Sequence, residues 1–331
     1  MSPEWIYTFV FLAWLAGAAA FVLGLHQMNS PATARAGNRL SAGGMTLAVL
    51  VTIPYLMTRP GGLSTTAIAI IVVGFAIGGG LGLWMARSVQ MTAMPQLVSL
   101  FNAVGGGAAA LVAIDDYLRI VGTDELIVST AIFVVLGAVI GCVTFSGSLI
   151  ASGKLQGVIP GKPIMIPGGR IVTLALAIVV VAGLVALVAG AAGVVAIDAG
   201  SSIAILAAVV LAGLLFGVTM VLPIGGADMP VVISLLNSFT GTAAAMAGFV
   251  LANPVLIIAG ALVGASGGIL TKLMADAMNR SILNIIAGGF GGGEGSVADT
   301  GGPGGSVRSF TADDAAIQLA YASSVIVVPG Y

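Results

Sequence analysis

The sequence predicts an all-α membrane protein, a polytopic bundle of about nine transmembrane helices followed by a short glycine-rich tail. Composition indicates this class, because 59% of the 331 residues are hydrophobic and only 7% are charged. In an average soluble protein about a quarter of the residues are charged. The apolar runs also have the right length, since about 20 apolar residues cross a ~30 Å hydrocarbon core as a helix. Barrel strands would instead alternate over ~10 residues.

The apolar runs follow one another along the whole bundle. They predict transmembrane helices at 5–25, 40–57, 63–85, 94–114, 126–152, 171–197, 201–222, 229–251 and 254–274. The first run follows Glu4 without a basic segment, so we expect a retained helix and not a cleaved signal peptide. Glycines inside the runs are typical of tight helix packing in lipid, and the single cysteine, Cys142, is expected to pack in the fifth helix.

The basic residues predict the orientation, because cytoplasmic segments carry the excess of lysine and arginine. With the N-terminus outside, nine of the 11 basic residues fall in inner segments: Arg35, Arg39, Arg87, Lys154, Lys162, Arg170, Lys272, Arg280 and Arg308. Only Arg59 and Arg119 fall outside, where the loop at 115–125 is acidic. We therefore predict an outer N-terminus and a cytoplasmic C-terminus.

The fourth and eighth predicted helices carry the same polar pattern. M-P-x-x-x-S-L-x-N occurs at 94–102 and at 229–237, an offset of 135 residues. The pattern contains neither glycine nor alanine, so it indicates an internal duplication, which membrane transport folds often use. Both helices run outward in the predicted topology, which makes the repeats parallel. A weaker match, G-A-x-x-G at 137–141 and 260–264, suggests that the following helix belongs to the unit.

The duplication places polar side chains inside the bilayer. Those on one face are Ser99, Asn102 and Gly106 in the fourth helix, and Ser234, Asn237 and Gly241 in the eighth. Each asparagine lies seven residues beyond its proline, about 10 Å into the membrane. Two interpretations stay open for these amides. They hold the helices together by hydrogen bonds, or they line a hydrated proton or ion path, which the duplication favours.

Hydroxyl groups of the fifth helix could join the same path. Thr144 and Ser148 are four residues apart and share a face, and Ser146 lies between them. Hydroxyls also bond to carbonyls of their own helix, so both interpretations stay open.

Three ionisable residues lie at the predicted cytoplasmic ends. Asp228 precedes the eighth helix as its N-cap or as a functional carboxylate. The first repeat has Ala93 at this place, so the fold does not require a carboxylate. Arg280 is a positive-inside anchor or a functional residue, and His26, the only histidine, is expected at the interface. The chain therefore lacks an obvious proton-binding group deep in the membrane.

The composition changes after the bundle, which we place at 1–280. Residues 281–310 are rich in glycine and predict a flexible cytoplasmic linker. Beyond it, Thr311 as N-cap with Asp314 three residues later predicts a short helix, and 324–328 predicts a buried strand. A strand that ends in a glycine, here Gly330, begins a dinucleotide-binding unit. We therefore predict the start of a truncated Rossmann-type domain at 311–331.

Several motifs resemble the beta subunit of proton-translocating NAD(P) transhydrogenase. They are G-G-A-D-M-P-V-V at 225–232, L-N-S-F at 236–239, G-A-L-V-G at 260–264, A-M-N-R-S at 277–281, I-A-G-G-F-G at 286–291 and S-V-I-V-V-P-G-Y at 324–331. The resemblance covers nearly the whole chain. It implies a membrane domain that couples proton entry to hydride transfer from NADH to NADP⁺. It also implies roles in proton translocation, or in coupling to the NADP(H) domain, for Ser148, Asp228, Asn237 and Arg280.

The resemblance implies that the chain binds neither nucleotide alone and has no catalytic residue of its own. NAD would bind to a partner alpha subunit with further membrane helices. NADP would bind to a separate domain, because the chain stops at Tyr331 where the family's site begins. Asn102 stands where many relatives have a histidine, so the titrating imidazole would lie on a partner helix. We expect a dimer of the complex in the inner membrane, without metal or nucleic acid. The alternatives are a stand-alone ion or solute transporter and a membrane scaffold fragment.

Overall fold

The structure is a computed structural model that describes residues 3–58, 62–123, 126–282, 285–286 and 311–326. Within these residues, nine helices are long and apolar enough to cross a membrane and no strand is present, which confirms the all-α class. The membrane helices are α1 Pro3–Gln27, α2 Ala34–Thr58, α3 Thr65–Ser88, α4 Met94–Ile120, α5 Val128–Leu155, α6 Gly169–Ala191, α7 Ala199–Val221, α8 Met229–Val250 and α9 Pro254–Ala277. Short 3-10 helices, Met91–Ala93 and Gly226–Asp228, lead into α4 and α8.

Three helix ends differ from the predicted bounds by six residues, and the others agree within three. Helix α2 begins at Ala34, six residues before the predicted start at 40. Helix α4 continues to Ile120 through the stretch predicted as an acidic loop, where Arg119 and Asp115 pair at 2.8 Å across one helical turn. Helix α6 stops at Ala191 instead of 197, although apolar residues follow. Gly193 has a φ of 69°, and its amide bonds to the Gly190 oxygen, which closes the helix.

Helix α5 lies at the centre of the bundle and contacts α4, α6, α7 and α8. Helices adjacent in sequence also pair, as α1 with α2, α6 with α7 and α8 with α9, and α1 reaches α9. One apolar core between α5, α6 and α7 includes the buried side chains of Val135, Leu187 and Val209. Helix α3 differs from the others because none of its residues is buried.

Side-chain contacts bring several helix termini to one end of the bundle, here called the Asp228 end. Gln96, in the first turn of α4, donates to the oxygen of Leu155 at the end of α5, at 3.2 Å. Arg280, just after α9, pairs with Asp228 at the start of α8. Lys154, in the last turn of α5, also donates to the main-chain oxygens of Leu222 and Ile224, just before α8. Helices α4 and α8 therefore begin at the same end and run parallel, as the predicted topology requires.

Residues 311–326 belong to a second compact unit. Helix α10, Ala312–Tyr321, has the predicted capping box, in which Asp314 N donates to Thr311 Oγ1 and Thr311 N donates to Asp314 Oδ2, each at 3.3 Å. In addition, Thr311 Oγ1 donates to Asp314 Oδ2 at 2.7 Å. This bond holds the pKa of the Asp314 carboxyl below its usual range. Residues 324–326 form neither helix nor strand, because the described residues supply no neighbouring strand to pair with. The rest of the predicted strand, Gly330 and residues 287–310 of the predicted linker lie outside the described residues.

Candidate functional site

A row of hydrogen bonds, here called the α4–α5 seam, joins α4 to α5 through Gln96, Ser99, Asn102, Ser148 and Ser152. Ser99 Oγ donates to the main-chain oxygen of Ser148 at 2.9 Å. Asn102 Nδ2 donates to the Ser148 hydroxyl at 2.9 Å, and Ser152 Oγ donates to the Gln96 oxygen at 3.1 Å. Ser99 and Ser148 are 0% exposed and Asn102 is 6% exposed. The seam is therefore closed to bulk water and holds the two helices together.

The carboxamide of Asn102 also bonds to a third helix. Thr240 Oγ1, on α8, donates to Asn102 Oδ1 at 2.6 Å. One residue thus links α4, α5 and α8, which favours the interhelical interpretation for this asparagine. Thr144 and Ser146 bond instead to carbonyls of their own helix, at 2.8 Å and 3.1 Å. Neither of these hydroxyls donates to another helix in the described part of the chain.

Helices α8 and α9 repeat this arrangement. Ser234 Oγ donates to the Gly267 oxygen at 3.2 Å, as Ser99 does to Ser148. Thr271 Oγ1, on α9, donates to Ser234 Oγ at 3.1 Å. Glycines allow both pairs of helices to approach closely. A Cβ atom on Gly141 would lie 2.6 Å from the Gly106 oxygen, and one on Gly260 would lie 2.7 Å from the Gly241 oxygen.

These contacts correct the register of the second repeated helix. They align Ser148 with Gly267 and Gly141 with Gly260, which is an offset of 119 residues. The G-A-x-x-G match aligned 141 with 264, an offset of 123. The error of four residues is about one helical turn, so the same face was matched one turn too far along. The duplicated unit is a helix pair.

Asn237 is the second copy of Asn102, but its carboxamide makes no hydrogen bond to any residue that the structure describes. The repeat explains the difference. The position equivalent to Ser148 is Gly267, and the position equivalent to Thr240 in the first copy is Gly105. Both partners of Asn102 are thus replaced by glycines that have no side chain. Asn237 is half-buried and neither of its amide atoms is fully buried, so both can reach water or a group from another chain.

Asp228 and Arg280 meet at the end of the bundle where α8 begins. Arg280 Nη1 donates to Asp228 Oδ2, and their side chains are 51% and 13% exposed. Asp228 occupies the N-cap position of α8 but makes no side-chain capping bond, so the ion pair replaces the expected cap. Its other oxygen, Oδ1, is buried without a described partner. Asn279, with a φ of 54°, ends α9 in a left-handed turn that places Arg280 beside α8.

Other residues singled out in the sequence lie apart from these contacts. His26 is exposed at the end of α1, and Cys142 is buried in α5. The described residues contain no cluster of histidine, cysteine, aspartate or glutamate that could hold a metal ion. Sequence reasoning missed Gln96, Ser152, Thr240 and Thr271. Gln96 could have been found because it precedes Ser99 by three residues, whereas Thr240 depends on how α4 packs against α8.

Comparison with known proteins gives one consistent result. A model of the NAD(P) transhydrogenase beta subunit family matches residues 10–331. Two curated relatives named NAD(P) transhydrogenase subunit beta, from Rhodospirillum rubrum and from a strain of that species, are each 48% identical over 326 residues. The aligned region covers 96% of this chain and 66% of each relative, so the chain spans just under two thirds of their length.

Proposed function

The chain belongs to the NAD(P) transhydrogenase beta subunit family, and on that premise we propose that it is the membrane subunit that couples proton entry to hydride transfer from NADH to NADP⁺. The stand-alone transporter is not favoured, because the family match covers nearly the whole bundle. The observation that carries the proposal is the unpaired amide of Asn237, which lies within a bundle whose other repeated polar groups are bonded to each other.

Asn237 is proposed to order water in the proton path. A carboxamide both donates and accepts hydrogen bonds, so it can hold a water molecule without titrating near neutral pH. The α4–α5 seam is buried at Ser99, Asn102 and Ser148. We therefore assign these residues to holding the helices beside the proton path in place. Ser234 and Thr144 have the same structural role, because Ser234 donates to α9 and Thr144 donates to a carbonyl of its own helix, α5. The group that binds the proton is expected on a partner helix beside Asn237.

Asp228 and Arg280 are proposed to couple the bundle to the nucleotide-binding domain. Asp228 lies nine residues before Asn237 on the same chain, about 13 Å along the axis of α8. A change in the hydration of Asn237 can therefore move the start of α8 and the ion pair. The predicted topology, with the N-terminus outside, puts this pair on the cytoplasmic side, where NADH and NADP⁺ are found.

The nucleotides are proposed to bind outside the described residues. In the second unit, the described helix α10 is exposed along its whole length and has no buried residue that could line a nucleotide site. We place NAD on a partner alpha subunit and NADP on a further domain, with the whole complex forming a dimer in the inner membrane. Residues 281–310 would link the bundle to the start of that domain at 311–331. When bound, the two nicotinamides supply the hydride chemistry, and this chain's residues handle the proton.

The energy of one proton is sufficient for this coupling. Hydride exchange between two nicotinamides has a free-energy change near zero when no proton gradient acts on it. A proton that crosses ~100 mV supplies about 2.3 kcal/mol, which shifts the product ratio roughly 50-fold.

The test measures reduction of an NADP⁺ analogue by NADH in membranes that contain this chain with its genomic neighbours. An uncoupler should lower the rate, and omission of this chain should abolish it. Asn237→Ala and Asp228→Ala should each remove most of the effect of the uncoupler. Thr242→Val is the control, because among the described residues the Thr242 hydroxyl bonds only to the Ser238 oxygen of its own helix, at 3.0 Å. Wild-type proton uptake and hydride transfer in both alanine variants would sink the proposal.

A further inference from the structure

A buried lysine ties α5 to the connection between α7 and α8. Lys154 lies in the last turn of α5 and is only 4% exposed. Its Nζ donates hydrogen bonds to the main-chain oxygens of Leu222 and, at 2.7 Å, of Ile224. Among the described residues, no carboxylate lies within ion-pair distance of this ammonium group. Its charge is therefore compensated by main-chain oxygens.

The end of α7 is a favourable place for a cation. Helix α7 ends at Val221, so the carbonyls of Leu222 and Ile224 lie just beyond its C-terminus. Carbonyls that have no partner within the helix and the negative end of the helix dipole both attract positive charge there. Burial of an ammonium group without a carboxylate partner is still costly, and a methionine would fill the same volume. Packing alone therefore does not explain a lysine at this position.

Lys154 stands between the two parts of the candidate site. On α5 it follows Ser148 and Ser152, which belong to the α4–α5 seam. The connection that it binds runs on to Asp228, which pairs with Arg280. The last turn of α5 is thus bonded directly to the short segment that ends at the ion pair.

Two main-chain hydrogen bonds hold the same connection from the other side. Ile164 N donates to the Leu222 oxygen at 3.1 Å, and Gly226 N donates to the Gly161 oxygen at 2.8 Å. Ile164 and Gly161 both lie in the α5–α6 connection, which follows Lys154 in the chain. Removal of the lysine would therefore leave the connection in place and release only its direct bonds to α5.

We propose that Lys154 is a positioning residue for the coupling between proton passage and hydride transfer. Its hydrogen bonds transmit a displacement of α5 to the Asp228–Arg280 pair. The inference rests on the proposed function. Coupling between two sites requires an element whose contacts differ between two states. The bonds of Lys154 join α5 directly to the α7–α8 connection, so a change in one would be passed to the other. Lys154→Met keeps the volume of the side chain but breaks both bonds. Proton passage should then no longer affect the Asp228–Arg280 pair.

The experiment uses the whole complex in sealed vesicles and measures hydride transfer with an imposed proton gradient and after an uncoupler. The ratio of the two rates does not depend on how much complex is assembled. Lys154→Met should lower this ratio about tenfold, within the usual range of coupling between sites. Lys154→Arg keeps the charge and the donors and should retain most of the ratio. Lys272→Met is the control, because Lys272 is exposed and pairs with Asp276 on its own helix at 3.3 Å.

A double variant distinguishes action through Asp228 from an independent effect. If Lys154 acts through the ion pair, Lys154→Met with Asp228→Asn should give the same ratio as Asp228→Asn alone. A further loss in the double variant would overturn the inference. So would a wild-type ratio in Lys154→Met, or a failure of both Lys154 variants to assemble. A wild-type complex that shows no stimulation would overturn the proposed function as well, whereas stimulation that Lys154→Met keeps overturns this inference alone.

Discussion

Asn102 and Asn237 show how a duplicated residue can take two different roles. The carboxamide of Asn102 has an acceptor partner at 2.9 Å and a donor partner at 2.6 Å, on two other helices. The equivalent partners of Asn237 would stand at Gly267 and Gly105, where no side chain is available. The internal repeat provides both amides, and glycine at these two positions leaves the amide of Asn237 open to water or to a partner helix.

The two asparagines should therefore differ in their effect on stability. Asn102→Ala removes two interhelical hydrogen bonds, which are worth about 0.6 kcal/mol each in membranes, and should destabilise the bundle by about 1 kcal/mol. Asn237→Ala removes no described bond and should stay within about 0.5 kcal/mol of the wild type. Thermal unfolding of the purified protein in detergent measures both. Equal losses in the two variants would contradict the asymmetry.

The sequence was sufficient to select most residues of the candidate site but not to pair them. The repeated pattern identified Ser99, Asn102, Ser234 and Asn237, and charge at predicted helix ends identified Asp228 and Arg280, to which the resemblance assigned roles. Which amide is satisfied depends on residues that no local pattern connects, because Thr240 lies 138 positions from Asn102. The same limit applies to Lys154. In the sequence, this residue contributed only its positive charge to the predicted orientation of the bundle. Its burial against α7 is set by the packing of α5.

At the scale of helices, the unit of duplication is a pair held together by close backbone approach. In α4 with α5 and in α8 with α9, glycines on facing helices remove the side chains that would otherwise keep the backbones apart. The short distance in turn allows serine hydroxyls to reach carbonyls of the neighbouring helix. Glycine patterns alone misplaced the partner helix by one turn, because several glycines on one face give similar matches in neighbouring registers.

Adjacent glycines of α9 provide a matched test of this packing. A Cβ atom on Gly267 would lie 2.9 Å from the Ser238 Cα, so Gly267→Ala should push α9 away from α8 and cost about 1–3 kcal/mol. A Cβ atom on Gly268 would meet only the Ser238 hydroxyl oxygen, at 3.5 Å. Gly268→Ala carries the same gain in helix propensity and should be tolerated. Melting temperatures of the two variants in one detergent compare them, and a similar loss in both would refute the packing argument.

At the scale of the whole molecule, the fold class follows from composition and from the length of the apolar runs. All nine predicted spans overlap a described helix, since burial in lipid requires long uninterrupted helices. The helix ends were less predictable. Apolar residues continue past Ala191 into a turn that Gly193 closes, and charged residues at 115 and 119 continue α4 by pairing with each other. Hydropathy does not record either effect, because both depend on local bonds.

The orientation of the bundle decides whether the Asp228 end can face the nucleotides. Positive charge predicts that this end is cytoplasmic. Two exposed valines report on opposite ends: Val158, 81% exposed, lies in the α5–α6 connection at the Asp228 end, and Val194, 77% exposed, lies in the α6–α7 connection. A membrane-impermeant maleimide should label Val194→Cys in right-side-out vesicles and Val158→Cys only in inverted vesicles.

The single native cysteine makes this labelling clean. Cys142 is 4% exposed in α5, so the parent protein should stay unlabelled in both kinds of vesicle until it is denatured. The opposite labelling pattern would place the Asp228–Arg280 pair outside the cell. No coupling to cytoplasmic NADH and NADP⁺ could then pass through that pair, and the proposed mechanism would fail even if every contact within the bundle were correct. The orientation experiment therefore tests the mechanism independently of the side-chain variants.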